Sequence, residues 1–86
     1  MAGTALIVDS FQTNRIILKV KLTAVFYRVV QAETGVAALS LIEGQKPYIV
    51  LLNDNLLDVE ATQLCAQIKS LEQLGWKLVV VFSHAD

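Results

Sequence analysis

The sequence predicts a single α/β domain built on a parallel sheet with helices on both faces. Three observations point there. Short apolar, β-branched segments alternate with longer segments of helical spacing, in the order βαβαβαβ. The segments at residues 5–8 (ALIV), 48–52 (YIVLL) and 78–82 (LVVVF) are continuously apolar, as strands covered on both faces must be. Finally, 86 residues with 55% hydrophobic content suffice for one core and not for two.

The first strand, residues 5–8, ends at Asp9 and Ser10. The first helix is expected over 13–25, with Ile16, Ile17, Val20 and Ala24 on one side and Arg15 and Lys19 elsewhere. Residues 28–31 (RVVQ) are more polar and suit an edge strand. A second helix over 34–43 presents Val36, Leu39 and Ile42, and Gly44 is placed to stop it. After the third strand, 48–52, Asp58 is placed to N-cap a third helix. In it Ala61, Leu64, Cys65, Ile68 and Leu71 recur at i, i+3, i+4 and i+7. Gly75 breaks that helix before the last strand, 78–82.

Composition narrows the function classes. A net charge of −1 gives no support for nucleic acid or an anionic membrane as a partner, since both need a basic surplus. One cysteine excludes an internal disulfide. The longest stretch without a charged residue is residues 34–42, nine residues, whereas a spanning helix needs about 20. The N-terminal MAGTALIVDS has no basic region and its apolar run is interrupted by Asp9, so it does not read as a signal peptide. A cytoplasmic location is expected. At 17% charged, the chain is well below the usual ~25%, so some apolar surface should meet a partner or a further part of the protein.

In doubly wound folds, ligands bind beyond the C-terminal ends of the strands. The residues to inspect are therefore Asp9 and Ser10, residues 53–58, and residues 83–86. There the chain resembles the receiver domain of two-component response regulators. The resemblance runs in order through ALIVDS, the segment TNRIILKVKLTAVFYRVVQAETGVAALSLI with Ala32, Gly35, Ala38 and Leu39 at A-x-x-G-x-x-A-L, then YIVLLNDNLLDVEATQLCAQIK, and finally KLVVVFSHAD. Within the family, NRIILKVKLTAVFYRVVQAETG is most similar to the first receiver of PleD-type regulators, which bear a GGDEF output domain that makes cyclic di-GMP. The resemblance implies a flavodoxin-like sheet in the order 2-1-3-4. It implies that residues 1–86 form a partial receiver, with the fifth strand and last two helices absent.

The resemblance also assigns the site, and the chain departs from the family there. Receivers use an acidic pair to hold Mg²⁺, an Asp to take the phosphoryl group, a hydroxyl and a Lys. Asp9 matches the first acid, but Ser10 stands where the second is expected and Asn53 where the phosphoacceptor Asp is expected. An amide offers no nucleophilic carboxylate oxygen and no charge for a hard cation. Asp9, Ser10, Asn53 and the backbone of Asn55 make at best a vestigial, weak Mg²⁺ site, and no other cofactor is implied. Asp54 neighbours Asn53, but successive strand residues point to opposite faces. Ser83 matches the switch hydroxyl. Lys77 precedes the fourth strand, at the wrong end of the sheet for the site Lys, and Leu57, Asp58 and Ala61 replace the usual Pro- and Gly-bearing loop.

Other residues have plain readings. Cys65 falls on the apolar stripe of its helix, His84 lacks companions at metal-ligand spacing, Trp76 and Tyr48 flank strands, and Lys19 and Lys21 suit a solvated face. Three functions stand. The first is a non-phosphorylatable pseudo-receiver acting through a histidine kinase, an output domain such as a diguanylate cyclase, or dimerisation, and not itself an enzyme. The second is a phosphoacceptor receiver, with Asp54 substituting or Asn53 an engineered replacement of Asp. The third is an unrelated flavodoxin-like fragment that binds a cofactor. With the fifth strand missing, the fourth-strand edge and the sheet face beside the first helix should be bare, and self-association through either is expected.

Overall fold

The computed structural model describes residues 3–25, 28–53, 56, 58–71 and 79–83. Their elements are β1 (Thr4–Val8), α1 (Gln12–Thr23), β2 (Arg28–Ala32), α2 (Gly35–Gln45), β3 (Ile49–Asn53), α3 (Ala61–Leu71) and β4 (Val79–Ser83). The four strands form one parallel sheet in the order β2-β1-β3-β4. That is the expected architecture, with the polar β2 at an edge. Among the described residues, no helix is long and apolar enough to cross a membrane.

Alternation along β1 divides the core into two layers. Leu6 and Val8 join Val50 and Leu52 of β3, Ala32 of β2, Ala38 and Ile42 of α2, and Leu64 and Ile68 of α3 in one buried cluster. Ala5 and Ile7 are buried outside that cluster, on the opposite face, where α1 packs against β1 and β2. Each fully buried Leu or Ile contributes about 1.5–3 kcal/mol, and among the described residues more of them lie on the α2/α3 side. On the α1 side cover is thinner: β3 reads half-buried at Ile49 and Leu51 but buried at Val50 and Leu52.

The first helix differs from expectation. It buries no residue completely, and Ile16, Ile17 and Val20 are 51%, 49% and 72% exposed. Asn14, Arg15, Leu18 and Leu22 are its half-buried positions, the last three at i, i+3 and i+7 on the side toward the sheet. Apolar residues surround much of this helix, so the pattern admits two faces and the structure uses the one containing Arg15.

The end of α2 also differs. Gly44 lies inside the helix, which continues to Gln45 and ends at Lys46 in the left-handed region (φ 48°, ψ 61°). The Lys46 amide donates to the Ile42 carbonyl at 3.0 Å. Pro47, fully buried, follows directly, and a residue before proline is disfavoured in the right-handed helical region. Tyr48, expected inside β3, precedes it, although its amide still donates to the Thr4 carbonyl at 2.8 Å. Gly75, expected to break the third helix, lies outside the described residues.

Candidate functional site

The strand register assembles the row that the sequence reading anticipates. Val8 pairs with Leu52, and Asn53 pairs with Ser83. One step beyond the Val8–Leu52 pair, Asp9 and Asn53 stand level. Asp9, Asn53 and Ser83 therefore share one row at the C-terminal ends of β1, β3 and β4. Asn55 and Asp54 lie outside the described residues, as do Leu57, Trp76, Lys77 and His84.

Asp9 is 1% exposed. Its amide donates to the Ala32 carbonyl at 3.0 Å, which extends the β1–β2 ladder by one step. Its Oδ1 accepts the Phe11 amide at 2.8 Å, an Asx-type turn that starts α1 where Phe11 supplies no side-chain cap. Ser10 points to the other side of the turn, its hydroxyl donating to the Glu33 carbonyl at 2.9 Å. Arg15 ties the same two loops from below. Its Nη1 donates to the Asp9 carbonyl at 2.7 Å, while its Nη2 lies 4.0 Å from Glu33 Oε2. The Glu33 side chain is 68% exposed, so the ion pair itself adds little; the bond to the Asp9 carbonyl is the positioning contact.

The loop after β3 brings a further acid to the same end of the sheet. Asp58 does not cap α3, as its sequence position suggests. Its Oδ1 accepts the Gly35 amide at 2.9 Å and its Oδ2 the Val36 amide at 3.1 Å, across 23 and 22 residues. These two bonds hold the Asp58 carboxyl below its ordinary value of 3.8. Thr34 completes the cap locally, its hydroxyl accepting the Ala37 amide at 3.1 Å and its carbonyl the Ala38 amide at 3.0 Å. Four amides at the start of α2 are thus satisfied by two residues. Between these loops Ser10, Glu33, Thr34 and Asp58 line an open cleft of about 340 Å³.

The site is therefore a row of one carboxylate, one amide and one serine, beside a cleft bordered by two more acids. Sequence reasoning located the row but missed Arg15 and the partner of Asp58. The only signal for the first was a basic residue six positions after a strand-end acid; nothing local signals the second. Among the described residues, no group of three His, Cys, Asp or Glu side chains is placed to hold a metal ion.

No protein-family model matches the chain, and no curated protein does. Solved structures do. The fold is that of the receiver domains of response regulators. A mutant MaeR response regulator bound to sulfate superposes with a TM-score of 0.83 at 22% identity, over 100% of this chain and 70% of that one. A CheY-like receiver domain from Methylobacillus flagellatus gives 0.80 at 23% identity, over 95% of this chain and 70% of that one. The receiver domain of a LuxO-type repressor protein from Vibrio parahaemolyticus gives 0.79 at 21%, over 100% of this chain and 65% of that one.

Proposed function

We propose that the chain is a receiver module of two-component signalling that acts by protein–protein contact and does not accept phosphate. The observation that carries this reading is Asn53. It ends β3 in the row with Asp9 and Ser83, and an amide there has neither the nucleophilic oxygen nor the charge that phosphoryl transfer to a carboxylate requires. The receiver fold supports the class; the amide supports the non-phosphorylatable form.

The donor set does not suit Mg²⁺, which favours carboxylates within an octahedral oxygen shell. Asp9 is the one carboxylate of the row and already accepts the Phe11 amide through Oδ1. Ser10 directs its proton to the Glu33 carbonyl. The residues of the row therefore do not fit the ion. The partners this reading names are a histidine kinase or an output domain, a diguanylate cyclase among the latter, met in the cytoplasm. A second copy of the chain is a further partner, seated on the exposed Ile16, Ile17 and Val20 side of α1 or along the β4 edge.

Incubation with acetyl phosphate and Mg²⁺, followed by intact-mass measurement, tests the reading. No mass gain is expected for the protein as it stands, and Asn53→Asp combined with Ser10→Asp is expected to gain one phosphoryl group. Phosphorylation of the unaltered chain, mapped to Asp54, would replace this reading with that of an active phosphoacceptor.

A further inference from the structure

The contact between the loop after β3 and the start of α2 joins two parts of the chain that share no sequence proximity. Two features make it. Asp58 accepts two consecutive amides, one on each carboxylate oxygen, so its side chain is held in orientation as well as in position. Beside it, Gly35 provides the space for Val59: a Cβ added at Gly35 would overlap Val59 Cγ2 and would also meet Asp58 Oδ1 at 3.5 Å and Leu64 Cδ2 at 3.5 Å. The notch thus admits the loop, and the carboxylate fastens it. Leu64 is part of the buried core cluster, so the same contact is anchored to α3.

We propose that Asp58 is a positioning residue, a latch that fixes the loop leading away from Asn53 to the first turn of α2, with Gly35 as its seat. Residues 58–60 and the α2 terminus then move together, and the surroundings of Asn53 depend on a bond that itself spans more than twenty residues of sequence. This holds whether or not the row accepts phosphate.

Thr34 supplies the control, because it caps the same helix from within its own segment, through bonds to Ala37 and Ala38. Amide hydrogen exchange and NMR shifts on the full chain distinguish the two roles. Asp58→Ala is expected to reduce protection at the Gly35 and Val36 amides by roughly tenfold or more. Ala37 and Ala38 should keep theirs, and the Asn53 side-chain amide resonances should shift. Thr34→Ala should reduce protection at the Ala37 amide, whose acceptor is the lost hydroxyl, while Gly35, Val36 and Ala38 keep theirs and the Asn53 resonances stay in place. Gly35→Ala should reproduce the effect of Asp58→Ala by expelling Val59, and adding Val59→Ala should restore protection at both amides by making room for the new methyl. Equal movement of the Asn53 resonances in Thr34→Ala, or full protection of Gly35 and Val36 in Asp58→Ala, would overturn the latch. Should Asp58→Ala fail to fold, Asp58→Asn keeps one acceptor oxygen and is expected to lose protection at one of the two amides; retention of both would equally overturn it.

Discussion

A carboxylate that accepts two backbone amides resists protonation, and Asp58 makes stability pH-dependent for that reason. Its folded pKa is lowered, first by the Gly35 amide and then by that of Val36. The unfolded chain therefore binds its proton more readily, and the linked stabilisation is present above the ordinary value of 3.8 and lost as pH falls through the lower folded value. Denaturant midpoints measured across this acid range should fall more steeply for the unaltered protein than for Asp58→Asn. Asp58 also marks how far a single sequence reaches. Its residue type announces a cap, but the choice between α3, three positions ahead, and α2, more than twenty behind, is made by tertiary packing. The row of Asp9, Asn53 and Ser83 was legible because each residue directly follows or closes an apolar strand segment, and strand ends in a parallel sheet fall at one level. Arg15 was not, because its inward turn is fixed by the Asp9 carbonyl, a backbone group without a sequence signature.

At the scale of the elements, apolar spacing identified every helix and strand that the structure describes, and the differences are in faces and ends. The α1 stripe failed because Ile16, Ile17, Leu18, Val20 and Leu22 cover more than one side, leaving Arg15, Leu18 and Leu22 to be selected by contact with β1 and β2. Gly44 suggested the end of α2 from residue type alone, whereas Pro47 sets it through the backbone of Lys46. A non-glycine residue in the left-handed region costs about 1–2 kcal/mol. Lys46→Gly should relieve that strain, offset in part by the greater entropy of glycine in the unfolded chain. The expected net gain is about 0.5–1 kcal/mol, seen as a higher urea midpoint with an unchanged slope.

At the scale of the whole molecule, the described residues cover the two faces of the sheet unequally. One face is closed by α2 and α3 over the buried cluster, while the other has α1 over β1 and β2 and half-buried Ile49 and Leu51 on β3. Apolar surface of this kind favours association. Sedimentation at micromolar concentration is expected to show a dimer or larger species, and Ile17→Glu with Val20→Glu, both at exposed positions, should shift it toward monomer if the α1 side is the contact. The unaltered chain sedimenting as a monomer would remove a second copy from the set of partners.

The sheet order has a further consequence, for the time course of folding. Thr4–Val8 is synthesised before the other three strands yet occupies an inner position, paired on one side with Arg28–Ala32 and on the other with residues of Ile49–Asn53. Parallel pairing provides no hairpin from which a sheet can grow outward, and the entropy of loop closure must be met before long-range contacts repay it. During synthesis β1 therefore waits for β3 to emerge before both its edges are occupied.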